Sequence, residues 1–425
     1  MDLPISLTNL AILIFVITYI LIASEKINRT IAAMSGAVAM WVLGVIHPEQ
    51  IFHYIDFNTL GLLFGMMVIV GTLSEAGFFR WVGIHLANFC ECKPLKMFIV
   101  FSLITAILSA FLDNVTTVLF MVTVTIEIME ILEVDPTPYL ISEIMFANIG
   151  GVATLIGDPP NIMIATASGL NFNDFLVNLA PNAMIIAGCT LGVLYIFYRK
   201  EFTRKVKYDK IPIKPSDAIE DRWLFNIGIV LFLATIVLLF LHELLHIKIT
   251  TIAMVSATLF LLVGGKKMHA ILEDIDWSML IFITSLLVIV GGIVETGLLQ
   301  ELAAFMFTII GDSQILAVTS VLWIASLMSG IFNSIAFTAT FIPLNIELAN
   351  IGGFEINQLW WSLAMGAALG GNATIIGSAA TVAAISAAAK QKYSISFMQF
   401  FKIGFTVTVI TTAIANILLV LRFLI

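Results

Sequence analysis

Charge is scarce in this chain. Asp, Glu, Lys and Arg make up 11% of its 425 residues, against roughly 25% in ordinary soluble domains, which excludes a solvated surface over most of the molecule. Cysteine is scarcer still: Cys90, Cys92 and Cys189 form no paired framework, so a disulfide-stapled fold is excluded. Basic excess is absent too. The formal net charge is -8, and the one basic run, within residues 199–222, is interleaved with Glu201, Asp209, Asp217, Glu220 and Asp221; nothing supports a nucleic-acid partner. His47, His53, His85, His242, His246 and His269 show no metal-ligand spacing beyond the His242/His246 pair, which marks an outer interface.

Apolar length is what the chain has. Sixty per cent of residues are hydrophobic and the mean hydropathy is +1.06. Uncharged runs at 5–24, 30–46, 57–74, 176–198, 223–241, 249–265, 277–294 and 403–421 are each near the ~17–25 residues that cross a ~30 Å hydrocarbon core. The first of them lacks the basic flank and cleavage pattern of a signal peptide and is expected to remain as a helix.

The chain also says things twice. Residues 148–161 read NIGGVATLIGDPPN and residues 368–381 read ALGGNATIIGSAAT, and the same 220-residue shift pairs Asp56 with Asp276, Gly71 with Gly291, Glu75 with Glu295, Gly77 with Gly297, Ser109 with Ser329 and Asp113 with Asn333. Glycines and acids at one constant offset mark a duplicated unit. Duplicated units with interrupted apolar segments at corresponding positions point to a transporter binding site.

The segments between the plain spans carry that site. Residues 97–133 are apolar on both sides of Asp113-Asn114-Val115-Thr116-Thr117, and residues 314–350 repeat the design around Asn333-Ser334 and Thr338. Each reads as a re-entrant helical hairpin with a polar tip. Residues 139–168 and 358–389 read as broken helices, interrupted at Gly150-Gly151 through Pro159-Pro160 and at Gly370-Gly371 through Gly377-Ser378. Backbone that leaves helical geometry at membrane depth is tolerated only where protein or a water-filled cavity satisfies its N–H and C=O groups.

The expected fold is therefore an all-α polytopic membrane protein of about ten full crossings plus two re-entrant hairpins, two of the crossings being broken helices. An odd number of crossings per copy, five, makes the copies 1–198 and 223–425 inverted relative to each other across the linker 199–222. With that linker cytoplasmic and both termini outside, every one of the 20 Lys and Arg residues except Lys248 and Arg422 falls inside, as the positive-inside rule asks. The plasma membrane is the expected location.

Chemistry narrows to a few polar groups inside the spans. An acid at mid-membrane costs on the order of 2.5–3.5 kcal/mol or more, so Asp113 and Asp158 must be paired, protonated or bound to a cation. Asp113 is placed to cap the helix that follows it, and Asp158 precedes Pro159-Pro160, which favours a turn. Asn114, Thr116, Thr117, Thr154, Asn161, Ser334, Thr338, Asn372, Thr374, Ser378 and Thr381 supply neutral oxygens and amides. Such a shell suits Na+, expected near Asp113, Asn114 and Thr154, or a proton as coupling ion, while helix N-termini suit anions. Gly150, Gly151, Gly157, Gly370, Gly371 and Gly377 allow unusual torsions and close approach. Asn333 and Ser378 stand where the first copy has acids, so coupling is expected to be asymmetric. No cofactor is expected.

Weaker candidates remain. Cys90-x-Cys92 is either a metalloid perch or two ordinary loop cysteines. Glu75 and Glu295 read as helix-ending or interface acids; Glu127, Glu130 and Glu143 as a vestibule lining or a solvated face.

LDNVTTVLFMVTV followed by ANIGGVATLIGDPPNIMI, with FTATFIPL and ALGGNATIIGSAATVAA in the second half, resembles the arsenite/antimonite efflux permease and P protein (citrate-transporter-like) group of the ion transporter superfamily, and the P protein branch in particular. The resemblance covers essentially the whole chain. It implies a secondary carrier, homodimeric, in which the hairpins and broken helices form a mobile transport domain moving elevator-fashion against a scaffold. Similarity to sodium-coupled dicarboxylate carriers implies ligand positions at Asn114, Thr116, Ser334 and Thr338 in the tips and Thr154 and Thr374 in the breaks. The family's second hairpin commonly carries Asp-Asn where this chain has Asn333-Ser334, which speaks against a symmetric two-cation scheme. The function expected is ion-coupled export of a metalloid oxyanion such as arsenite or antimonite, or of another small anion, with Na+/H+ antiport and sodium- or proton-coupled carboxylate transport as alternatives. An enzyme is not expected: an intramembrane aspartyl protease would need paired acids, and the motifs are duplicated without them.

Overall fold

The computed structural model describes residues 6–24, 26–203 and 210–423. Arg204, Lys205, Lys207 and Asp209 of the linker, and the first five residues, lie outside this set. All described regular structure is helical. The first half contains α1 (Leu7–Ser24), α2 (Arg29–Val42), α3 (Pro48–Tyr54), α4 (Phe57–Glu75), α5 (Phe78–Phe89), α6 (Pro94–Phe111), α7 (Asn114–Leu132), α8 (Thr137–Gly151), α9 (Pro159–Ser168) and α10 (Phe172–Tyr198). The second contains α11 (Arg222–Leu241), α12 (Ile249–Gly264), α13 (Met268–Glu273), α14 (Trp277–Val294), α15 (Leu298–Ile310), α16 (Gln314–Phe332), α17 (Ser334–Gly352), α18 (Ile356–Gly370), α19 (Ala379–Lys390) and α20 (Phe397–Phe423).

Equivalent residues start equivalent helices. Asp56 caps α4 by accepting from Asn58 N–H, and Asp276 caps α14 by accepting from Met279 N–H. Gly77 and Gly297, at φ 86° and 75°, hold the left-handed torsion between α4 and α5 and between α14 and α15, a region where a Cβ is unwelcome. Among the described residues, eleven segments are long and apolar enough to cross a membrane. The outer surface fits lipid: Val42, Ile196, Leu262 and Ile309 are exposed, as a soluble protein would not tolerate in such number.

Two details differ from the sequence expectation. The run 30–46 is not one helix, because α2 stops at Val42 and the chain turns through Gly44 (φ 76°) before Pro48 opens α3. Residues 78–89 and 298–310 form helices α5 and α15, which at 12 and 13 residues are too short to count as spans.

The halves pack reciprocally. α14 lies on α2 and α12 on α4, while α9 packs on α17 and α19 on α7. Each half thus lends its second broken-helix segment to the other half's hairpin. The equivalent helices α4 and α14 run antiparallel: Tyr54 Oη, just before α4, donates to Glu295 at the end of α14 (2.7 Å), and Lys267 Nζ, before α14, donates to the Glu75 carbonyl at the end of α4 (2.8 Å). Glu75 and Glu295 are interface acids, as expected.

Candidate functional site

Each hairpin tip is pinned to the break beside it by the same contacts. At the first tip Asn114 N–H donates to Gly157 O (3.2 Å); at the second Ser334 N–H donates to Gly377 O (2.9 Å). Ser109 Oγ donates to Ala147 O (2.6 Å) and Ser329 Oγ to Ala367 O (2.7 Å). Thr154 Oγ1 donates to Ala110 O, and Thr374 Oγ1 to Gly330 O at 2.6 Å. Unwound peptide at the breaks is satisfied the same way in both copies, by side chains reaching back. Asn161 Nδ2 donates to the carbonyls of Gly151, Val152 and Thr154 (3.3, 3.2 and 2.8 Å), and Thr381 Oγ1 to Gly371 O (3.4 Å). Carbonyls freed at the breaks thus find side-chain donors, as membrane depth requires of backbone groups there.

The glycines let these segments touch. A Cβ on Gly150 would collide with the backbone of Ala106, and one on Gly370 with that of Ser326. One on Gly157 would lie 2.6 Å from Ser109 O, on Gly151 2.8 Å from Gly157 O, and on Gly371 and Gly377 3.0 Å from their nearest neighbours.

Asp113 caps α7 through Oδ2, which accepts from Thr116 N–H (2.8 Å) and Thr116 Oγ1 (2.7 Å). Its Oδ1 is buried with no partner, as are Asn114 Oδ1, Thr117 Oγ1, Asn161 Oδ1 and Thr338 Oγ1. Asn333 caps α17 through Ile335 N–H (3.1 Å) with its backbone at φ 75° and ψ 138°. Asp158 does not cap α9; its side chain meets Asn114 instead. Ser378, its counterpart, caps α19 through Ala380 N–H (3.2 Å).

The residue that ties the copies together is one that sequence reasoning passed over. Asn148 Nδ2 donates to Asn372 Oδ1 (2.8 Å), and Asn148 Oδ1 accepts from Ser378 Oγ (3.0 Å) and Asn114 Nδ2 (3.4 Å). All four side chains are buried. The signal was the amide heading the NIGG segment, hidden because its repeat partner is Ala368. Of the expected residues, Asn114, Asn372 and Ser378 meet in this cluster, Asp158 joins it through Asn114, and Thr117 and Thr338 enter neither network.

A cavity of about 400 Å³ reaches the second tip, lined by Asn28, Arg29, Asp276, Ser278, Phe332 and Asn333. Arg29 therefore fronts the approach to Asn333. Two other expectations change. Glu143 is fully buried and not on a solvated face. Cys90 and Cys92 are buried too, and burial pushes the Cys90 thiol up to about 11, which leaves little thiolate for a metalloid. Glu127 is held by Arg80 through two bonds of 3.2 and 2.5 Å. His242 accepts from Phe172 N–H (3.4 Å).

Unwound backbone contacted by side chains inside a bundle of apolar helices fits a polytopic membrane transporter. Residues 19–366 match the citrate transporter family, and the chain belongs to that family. It is 36% identical to the 46 kDa membrane protein of Mycobacterium leprae (strain TN), over 98% of this chain and 99% of that one. It is 31% identical to the P protein of Homo sapiens over 93% of its own length, spanning 58% of that protein. Its fold matches MtrF of Neisseria gonorrhoeae, described among antimetabolite efflux pumps, with a TM-score of 0.61 at 11% identity over 99% of this chain and 96% of that one. The YdaH transporter of Alcanivorax borkumensis matches with a TM-score of 0.61 at 12% identity, over 96% and 97%.

Proposed function

We propose that this protein is an ion-coupled secondary transporter of a small anion, a metalloid oxyanion or carboxylate, working by elevator-type alternating access between two inverted copies. The observation that carries the reading is the cluster of Asn114, Asn148, Asn372 and Ser378, built by the first hairpin's tip, the last turns of α8 and the second break. Its surroundings divide the labour. The first copy contributes buried carboxyl groups, Asp113 and Asp158, with unpartnered oxygens at Asp113, Asn114 and Asn161; this donor set suits Na+ or a proton. The α9 start, Pro159-Pro160, carries no N–H, whereas the α19 start has the Ala379 N–H beside the Ala380 N–H that Ser378 caps, so the second copy's helix ends suit the anion better. In this reading the hairpins 97–133 and 314–350 and the broken helices 139–168 and 358–389 move as one unit, in a homodimer in the plasma membrane with the linker 199–222 cytoplasmic and both termini outside.

The test is a proteoliposome panel of arsenite, antimonite, sodium, chloride, citrate and succinate, each under imposed pH or sodium gradients. Saturable flux of one anion that follows a gradient is expected, and its direction is read from the same assay. Single-channel currents would replace the carrier by a pore. Sodium flux traded for protons with no anion moved would give the antiport reading.

A further inference from the structure

Glu143, on α8, lies in the interior of the bundle with no exposed surface. Its Oε1 accepts one hydrogen bond, from Thr125 Oγ1 of α7 at 2.6 Å, and its Oε2 has no partner. Among the described residues, the helices packed on α8 bring it no compensating charge. α7 carries Glu127, tied to Arg80, and Glu130, beside Tyr393. α6 carries Lys96, α10 carries Asp174, Cys189, Tyr195 and Tyr198, α19 ends on Lys390, and α18 has no titratable side chain. Among the described residues none of these groups bonds to Glu143.

The second copy shows that the architecture does not require an acid here. At the 220-residue shift Glu143 becomes Leu363 and Thr125 becomes Asn345, and Leu363 is equally buried. Leucine fills the same place in the same packing, so the carboxyl is retained at a cost in desolvation that packing does not explain. Its place is informative. Glu143 is five residues, about 7–8 Å along the helix, from Asn148, whose amide bridges the two copies. A negative charge at that range in a low-dielectric interior opposes an anion in the cluster.

We propose that Glu143 is a proton-binding site linked to the anion site: neutral when the anion is bound, and releasing its proton when the anion leaves. Proton and anion then travel together. The one bond made and broken is the O–H of the Glu143 carboxyl: the proton comes from water on loading and returns to water on release. This inference rests on the anion-transport reading for its partner ion, but not for the proton site itself.

The experiment has two arms. In the first, infrared pH titration of the detergent-solubilised full chain follows the protonated-carboxyl C=O stretch, comparing native protein with Glu143→Gln and with Glu143→Leu, which copies Leu363. A titrating band present in native protein and lost in both variants is expected. A Glu143 band unchanged from mildly acid to mildly alkaline pH would overturn the proposal, since the group would then be a permanently neutral packing element. In the second arm, citrate is the probe in proteoliposomes with a trapped pH dye. Citrate entry should carry protons in native protein, and Glu143→Gln should move citrate with the accompanying proton signal lost. Retained proton movement in a folded Glu143→Gln protein would also overturn the proposal. If native protein moves no ion of the panel, the transport reading fails by itself while the infrared arm still decides Glu143.

Discussion

Asn148 donates to Asn372 at 2.8 Å across a sequence separation of 224 residues, joining the end of α8 in one copy to the break of the other. The pair is buried, and Ser378 and Asn114 lean on the same Asn148 oxygen. Asn148→Ala leaves up to three buried partners short of a bond, at about 1–3 kcal/mol for each group that stays unpaired. Asn372→Ala should cost less. Because the two share one contact, the double variant should be more stable than the sum of the singles implies, by about 0.5–3 kcal/mol. Thermal unfolding in detergent of the four proteins of the cycle measures this, and additive losses would mean that the contact is not coupled.

Asp113 separates capping from coupling. The second copy caps its hairpin with asparagine at the same position, and Asn and Asp are about equally good caps. Asp113→Asn should therefore unfold within about 0.5 kcal/mol of native protein, whereas Asp113→Ala should lose about 1 kcal/mol. Flux driven by an imposed pH or sodium gradient should be abolished in both. Normal gradient coupling in Asp113→Asn would remove the carboxylate from the mechanism and leave it a cap.

How much of this was legible beforehand follows from the physics of each feature. The hairpins and breaks could be read because glycine, proline and capping residues are chemical statements about backbone, repeated 220 residues apart: Asp113 and Asn333 do cap α7 and α17, and the breaks fall at Val152–Asp158 and Gly371–Ser378. Asn148 and Glu143 escaped because their roles depend on what faces them. Asn148 works through a residue in the other half, and Glu143 is buried where α7 packs on α8, whereas Glu127 stays part-exposed and paired with Arg80. The reciprocal seating of α9 on α17 and α19 on α7 has no local signature, since the surfaces are small and apolar. α5 and α15 were missed because each is too short to span, which mimics a loop between spans.

The glycines at the breaks make a paired prediction. A Cβ at Gly150 or Gly370 would meet main-chain atoms of Ala106 or Ser326, which cannot rotate aside, while a Cβ at Gly188 would meet nothing within 4 Å. Gly150→Ala and Gly370→Ala should each destabilise by about 1–3 kcal/mol, the range for forced overpacking. Gly188→Ala, inside α10, should be stabilising by about 0.5–1 kcal/mol from helix propensity alone. Thermal unfolding compares the three. Tolerance of alanine at Gly150 would mean that α6 and α8 approach less closely than the geometry requires.

The buried thiols supply the pH test. The Cys90 thiol sits at about 11, raised first by burial, so at neutral pH it is protonated, and the reactive thiolate gains about tenfold per pH unit as pH rises toward that value. Maleimide labelling of native protein should accordingly be slow at neutral pH and accelerate with alkalinity, and brief denaturation should expose Cys90 and Cys92 together. Because the Cys90 thiol is protonated at neutral pH and Cys92 is buried, the double variant Cys90→Ser with Cys92→Ser should keep the flux of whichever panel ion the native protein moves. Selective loss of arsenite or antimonite flux in that variant, with fold intact, would place the metalloid at the α5 end of the molecule and not at the cluster formed by Asn148, Asn372 and Ser378.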